Sequence, residues 1–91
     1  GSTFGGNPLA AAIVMEALEV VKDERLAENA DRLGQIFRQR MGRLTQKTKW
    51  VKLVRGKGLL NAIVINDTPE SETAWNLCLK LAANGLLAKP T

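Results

Sequence analysis

The stretch STFGGNPLA, residues 2–10, decides how this sequence is interpreted, because it places two hydroxyls and two glycines directly before an apolar segment. Asn7 is a suitable N-cap and Pro8 suits the first position of a helix, so a helix is predicted to begin at Pro8. The same residues suit an anion, since hydroxyls donate to phosphate oxygens, glycines allow close backbone approach, and free N–H groups at a helix start favour negative charge. Read alone, the stretch is explained mostly as ordinary helix initiation.

Two helices are predicted in the first half of the chain. The first runs from Pro8 to about Lys22, and its Leu9–Met15 segment is apolar on every face, so it needs cover on all sides or will self-associate. The second runs from about Arg25 to Leu44, because apolar residues recur there at spacings of three and four. This apolar stripe consists of Leu26, Ala30, Leu33, Phe37, Met41 and Leu44, while Arg38, Arg40 and Arg43 fall on the polar side.

A β-hairpin is predicted next, because β-branched residues replace the helical period. Its strands are Trp50–Arg55 and Leu59–Ile65, and Gly56-Lys57-Gly58 lies between them. Gly56 is expected to supply the positive φ of a tight turn. The second strand is apolar enough to be covered on both faces. A phosphate loop at these glycines is not favoured, since no longer glycine pattern opens a helix here.

The last third of the chain predicts a third helix and a short strand. Asp67 or Thr68 is the expected cap, with Pro69 in the first turn. Asn84-Gly85 should end this helix, and the strand Leu86–Ala88 should stop at Pro90. The predicted fold class is therefore α/β in the broad sense, a small α+β domain with helices packed on a small antiparallel sheet.

Composition restricts the classes of function. Ninety-one residues make one small domain at most, and the chain contains one cysteine and no histidine. Cys78 lies at helical spacing among apolar residues, which predicts a buried structural thiol, and no metal site or histidine acid–base chemistry is expected. There is no apolar run long enough to span a bilayer and no signal-peptide pattern, so a soluble, cytoplasmic protein without membrane partners is expected.

Charge is segregated along the chain, whose net charge is +4. Glu16–Asp31 holds six acids, whereas Arg38–Lys57 holds eight basic residues and no acid. The basic run allows an alternative function, a noncatalytic basic interaction module. A solvated surface is favoured, and no nucleic-acid partner is expected, because Trp50 is the one aromatic residue within the run.

Three motifs together resemble the class III pyridoxal-phosphate (PLP) aminotransferases. They are residues 2–10, the run VRGKGLLNAIVI at 54–65 and the run NGLLAKPT at 84–91. Their order and spacing are similar to those of the ornithine aminotransferases within that family, and the likeness covers the whole chain. The acetylornithine aminotransferases share the first two motifs and remain an alternative.

The resemblance implies a piece of a fold type I, PLP-dependent homodimeric enzyme with active sites at the subunit interface. In such enzymes the Ser-Thr pair, here Ser2 and Thr3, reaches the cofactor phosphate of the partner subunit. Residues 1–22 would form an interdomain and interface segment, and 23–91 an incomplete C-terminal small domain. The substrates implied are ornithine, which gives its δ-amino group, and 2-oxoglutarate. A eukaryotic parent would also allow the mitochondrial matrix.

The same resemblance implies that no catalytic residue lies in this chain. The family's Schiff-base lysine, the aspartate at the pyridine nitrogen and the stacked aromatic precede the first motif, and the arginine for the substrate carboxylate follows the last. Lys89 matches the Ala-Lys-Pro-Thr run, whose implied role is structural. The chain alone is therefore expected to be inactive.

Overall fold

Three long helices, one short helix and a two-stranded antiparallel sheet make up the computed structural model, which describes residues 1–91. The elements, in chain order, are α1 (Pro8–Asp23), α2 (Leu26–Gly42), α3 (Leu44–Lys47), β1 (Val51–Lys57), β2 (Leu60–Ile65) and α4 (Thr73–Ala83). The structure therefore confirms the predicted fold class, a small α+β arrangement of helices on an antiparallel sheet.

Helix α1 begins where the sequence predicts. The Asn7 side chain caps it by accepting a hydrogen bond of 2.8 Å from the backbone N–H of Ala10, and Pro8 occupies the first turn. Most of its apolar surface, however, is exposed: Leu9 is 73% exposed and Met15 is 69% exposed. The cover that this helix needs must therefore come from outside the 91 residues.

Helix α2 is shorter than predicted, because it ends at Gly42 and the chain continues as α3. A left-handed residue, Arg25 with φ 52°, makes the tight connection between α1 and α2. The predicted apolar stripe of α2 is only partly buried, since Leu33 and Phe37 remain 37% and 38% exposed. The contact between α2 and the sheet thus leaves more than a third of each of these two side chains exposed to solvent.

The hairpin is confirmed, but its turn differs from the prediction. Lys57 pairs with Leu60, which leaves Gly58 and Leu59 as a two-residue turn, and Gly58 has the positive φ of 54°. The prediction that Gly56 supplies this φ is wrong. Gly56 lies inside β1, where a Cβ atom would stand 2.8 Å from the Cα of Asn61 and overlap the neighbouring strand.

Helix α4 begins at Thr73, later than the predicted start near Pro69. Asp67 does not cap a helix at Pro69. Its carboxylate instead accepts hydrogen bonds from the Thr68 N–H at 2.8 Å and the Thr73 hydroxyl at 2.5 Å. These bonds hold residues 67–72 in a turn that leads into α4.

The end of α4 follows the prediction, whereas the strand after it does not. Gly85 has φ 89°, its N–H bonds to Ala82 O and the Leu86 N–H bonds to Leu81 O, which together form a Schellman motif. Leu86–Ala88 is irregular instead of a strand. A strand needs a neighbour to take its hydrogen bonds, and the two-stranded sheet does not reach these residues.

The molecule is extended and has no buried apolar core. One of the 91 residues, Gly34, is buried, and Cys78, predicted to be buried, is half-buried. The radius of gyration is 18.0 Å, against about 12 Å for a compact domain of this length. None of the four helices combines the length and the hydropathy of a membrane-spanning segment.

Candidate functional site

The segment before α1 forms a turn that brings its polar groups to the start of the helix. The Gly5 N–H donates to Ser2 O at 3.2 Å, and the Asn7 side-chain amide donates to Phe4 O at 2.7 Å. Gly6 has φ 81°, a conformation that favours glycine. One glycine of the pair is therefore required by the backbone, and Asn7 fixes both the turn and the helix start.

Ser2 and Thr3, the predicted phosphate contacts, lie on this turn. Both residues are exposed, and neither hydroxyl makes a hydrogen bond within the chain. The backbone N–H groups of Thr3 and Gly6 are also without an acceptor. The turn thus offers several uncharged donors beside a helix N-terminus, a chemistry that fits one side of a phosphate group. The chain brings no second element up to them.

A second polar cluster, which the sequence analysis missed, joins α2 to the hairpin. The Arg38 guanidinium donates to Gly58 O at 3.0 Å and to Asn61 Oδ1 at 2.7 Å. The Asn61 amide donates to the same Gly58 oxygen at 3.3 Å. The placement of Arg38 on the solvated side of α2 is therefore wrong, because its side chain is half-buried against the hairpin turn.

The neighbouring glycine explains why Arg38 can reach the turn. A Cβ atom on Gly34 would overlap the Gly58 carbonyl oxygen and stand 2.7 Å from its carbonyl carbon. Gly34 and Arg38 are four residues apart and share one face of α2. A glycine and an arginine at this spacing were a usable signal, since glycine inside a helix has a cost that close packing offsets. The cluster uses its donors internally and has a structural role.

The Asp67 carboxyl lies in the turn before α4, where two hydrogen bonds act on it. The hydrogen bond from the Thr73 hydroxyl, with a smaller effect from the Thr68 N–H, lowers the pKa of the Asp67 carboxyl. Both bonds favour the charged carboxylate. The group is exposed and lies at the entry of α4, so it stabilises a turn and has no partner for acid–base catalysis.

The basic run contains one aromatic residue, Trp50, which is 49% exposed. Lys49 Nζ lies 5.4 Å from the centroid of its ring, which is a cation–π contact within the run. The chain's one ion pair is Arg25 with Glu28, at 3.9 Å and well exposed. The segregated acids and bases therefore do not neutralise one another within the molecule.

Comparison with known proteins identifies the family. A family model described as aminotransferase class III matches residues 1–91, the whole chain. The chain belongs to the class III aminotransferases. The mitochondrial ornithine aminotransferases of Drosophila ananassae and Rattus norvegicus are each 56% identical to it over 91 residues. The chain spans 20% of the length of these two relatives.

Solved class III aminotransferases contain the same substructure. An acetylornithine aminotransferase from Elizabethkingia anophelis matches 100% of the chain with a TM-score of 0.92 and 66% identity, over 23% of its own length. The ornithine aminotransferase of Toxoplasma gondii ME49 matches with a TM-score of 0.87 and 51% identity, over 21% of its length. The helices and hairpin are thus a piece of the aminotransferase fold.

Proposed function

We propose that this chain is part of an ornithine aminotransferase, which transfers the δ-amino group of ornithine to 2-oxoglutarate and gives glutamate and glutamate semialdehyde. The observation that carries this proposal is the 56% identity with the Rattus norvegicus ornithine aminotransferase over all 91 residues. The hairpin run and the final LLAKPT run, which resemble the ornithine enzymes in particular, support the same substrate.

Acetylornithine is the second candidate amino donor. The acetylornithine aminotransferase of Elizabethkingia anophelis is 66% identical to the chain, a higher identity than that of the ornithine enzymes above. The two donors differ at the α-amino group, which acetylation makes neutral. A residue that distinguishes the two donors would contact that group.

PLP is the proposed cofactor of the complete protein, and the ornithine aminotransferase of Toxoplasma gondii has PLP in partial occupancy at its active site. When bound, PLP serves as an electron sink for the amino-group transfer. Ser2 and Thr3 would hold its phosphate, and the exposed, uncharged donors of their turn support this role. Neutral donors bind the phosphate without adding a cation near the reacting nitrogen.

The remaining assignments rest on the same family relationship. Residues 1–22 would lie at a domain and subunit interface of a homodimer, with Ser2 and Thr3 reaching the partner subunit's cofactor, and 23–91 would be an incomplete C-terminal small domain. The unprotected apolar surface of α1 supports an interface position. Two relatives are mitochondrial ornithine aminotransferases. The complete protein would therefore function in the mitochondrial matrix if it comes from a eukaryote, and otherwise in the cytoplasm.

The complete protein that contains this chain tests the proposal. Its kcat/KM should be measured with ornithine and with N-acetylornithine, each with 2-oxoglutarate and added PLP. A preference for ornithine by at least about tenfold, or about 1.4 kcal/mol, supports the ornithine enzyme. The reverse preference assigns the acetylornithine reaction, and absence of turnover with either donor contradicts both candidates.

A further inference from the structure

The Asn7 side chain makes hydrogen bonds on both sides of the start of α1. Its Oδ1 accepts the backbone N–H of Ala10 at 2.8 Å, and its Nδ2 donates to the Phe4 carbonyl oxygen at 2.7 Å. A backbone N–H can only donate and a carbonyl can only accept, so the two bonds fix the orientation of the amide. A carboxylate at this position could cap the helix, but it could not also donate to Phe4 O.

Two consecutive β-turns connect the first residues of the chain to α1. The first is Ser2–Gly5, closed by a backbone hydrogen bond of 3.2 Å. The second is Phe4–Asn7, in which the Asn7 backbone N–H lies 3.4 Å from Phe4 O. This backbone bond is long, so the 2.7 Å bond from the Asn7 side chain to the same oxygen is the stronger link. Since Phe4 belongs to both turns, Asn7 fixes the first turn relative to the helix.

We propose that Asn7 is a positioning residue for the cofactor phosphate, an inference that rests on the function proposed above. Thr3 is a central residue of the first turn, so the place of its hydroxyl depends on how that turn is held against α1. Donors that are fixed before the phosphate binds lose less conformational freedom on binding, which raises the affinity. Asn7 thus acts on the phosphate through the turn that carries Thr3.

A helix cap alone does not require asparagine at this position. Serine and aspartate are about as favourable as asparagine at an N-cap. Serine has one side-chain oxygen for the Ala10 N–H and no second atom in the place of the Asn7 Nδ2. Asn7→Ser therefore keeps the helix cap, adds no charge beside the phosphate and removes the donor to Phe4 O.

The affinities of the complete protein for PLP and for pyridoxal, which lacks the phosphate, test this role. Protein freed of cofactor is titrated with each compound, and the Kd for pyridoxal divided by the Kd for PLP measures the phosphate contribution. Asn7→Ser should lower this ratio by about three- to tenfold, the effect of one ordinary hydrogen bond. Its affinity for pyridoxal and the unfolding midpoint of its cofactor-free form should match the wild type, because the cap is retained.

Asn29→Ser is the matched control, because it makes the same substitution on α2, where the Asn29 side chain accepts a hydrogen bond from Arg32. It should leave the ratio unchanged. Gly6→Ala changes the second turn by another route, since a side chain disfavours the φ of 81° and a Cβ there meets nothing within 4 Å in the chain. This variant should also lower the ratio, and it replaces Asn7→Ser in the test if that protein cannot be purified.

The proposal is overturned if Asn7→Ser leaves the ratio unchanged, because the bond to Phe4 O then does not position the phosphate donors. An equal loss of affinity for both compounds also overturns it, since Asn7 would then have a structural role alone. A wild-type protein that binds PLP no more tightly than pyridoxal contradicts the proposed phosphate contact itself. That failure is distinguishable from the other two, because it is measured before any substitution is made.

Discussion

At the scale of single residues, Gly34 is the position at which one atom decides the packing of α2 on the hairpin. Gly34→Ala adds a Cβ that overlaps the Gly58 carbonyl, so α2 must move away from the turn. We expect a loss of about 1–3 kcal/mol in the free energy of unfolding, as for other overpacked contacts. Urea unfolding followed by circular dichroism measures this loss.

Gly42→Ala is the matched control in the same helix, because a Cβ there meets nothing within 4 Å. Alanine is the better helix former, so this variant should be unchanged or more stable by up to about 1 kcal/mol. If both variants unfold at the same urea concentration, the close contact between Gly34 and the turn does not hold α2 in place.

Thr3 allows a test of the proposed phosphate contact in the complete protein. Thr3→Val keeps the shape of the side chain and removes the hydroxyl, which makes no hydrogen bond within the chain. A hydrogen bond to a charged group contributes about 1.5–3 kcal/mol, so PLP affinity should fall by about one to two decades. Cys78→Ser is the control and should retain PLP. If dialysed Thr3→Val protein retains PLP as tightly as the wild type, Thr3 does not contact the phosphate.

At the scale of elements, local capping was predictable and partner-dependent structure was not. The start of α1 follows from Asn7 and Pro8, whose effects act within one turn of the chain. The Asp67-Thr68-Pro69 pattern predicted a helix start that is wrong, because the Asp67 carboxylate accepts a hydrogen bond from the hydroxyl of Thr73, six residues further along the chain. The predicted strand at Leu86–Ala88 is absent for a different reason. A strand forms only beside another strand, and the strand propensity of these residues does not provide that neighbour.

The turn before α4 gives a pH-dependent prediction. Because the folded pKa of Asp67 lies below its ordinary value of 3.8, its carboxylate contributes stability that is fully present above about pH 4. That contribution is lost as pH falls through the lowered folded pKa. The difference in unfolding midpoint between wild type and Asp67→Asn should therefore be constant near neutral pH and shrink below pH 3.8.

Glu70→Gln is the control for this titration, since Glu70 lies in the same turn and its side chain makes no hydrogen bond to Thr73 or Thr68. It should not reproduce the acid-dependent loss. A difference between wild type and Asp67→Asn that persists unchanged well below the folded pKa would show that the carboxylate charge is not what stabilises the turn.

At the scale of the whole molecule, the solvent-accessible area indicates how much surface the chain leaves unburied. The chain exposes 7938 Å², whereas a compact monomer of 9.9 kDa exposes about 5,200 Å². The turn that carries Ser2 and Thr3 follows from a local motif, and the contact of their hydroxyls with a phosphate stays a prediction. For the Arg38 cluster, the spacing of Gly34 and Arg38 could have indicated a close contact on α2, but it does not identify the partners, which lie 20 and 23 positions from Arg38.

Catalysis should be absent from the isolated chain. All seven of its lysines are exposed, whereas an amine that forms a Schiff base readily is desolvated or lies beside another cation in a closed site. Incubated with PLP, ornithine and 2-oxoglutarate, the chain should form glutamate semialdehyde no faster than free PLP does. The complete protein is the positive control under the same conditions. Turnover by the chain above the free-cofactor rate, abolished by replacing one lysine, would place the catalytic amine within these 91 residues and overturn the assignment of the active site to the rest of the enzyme.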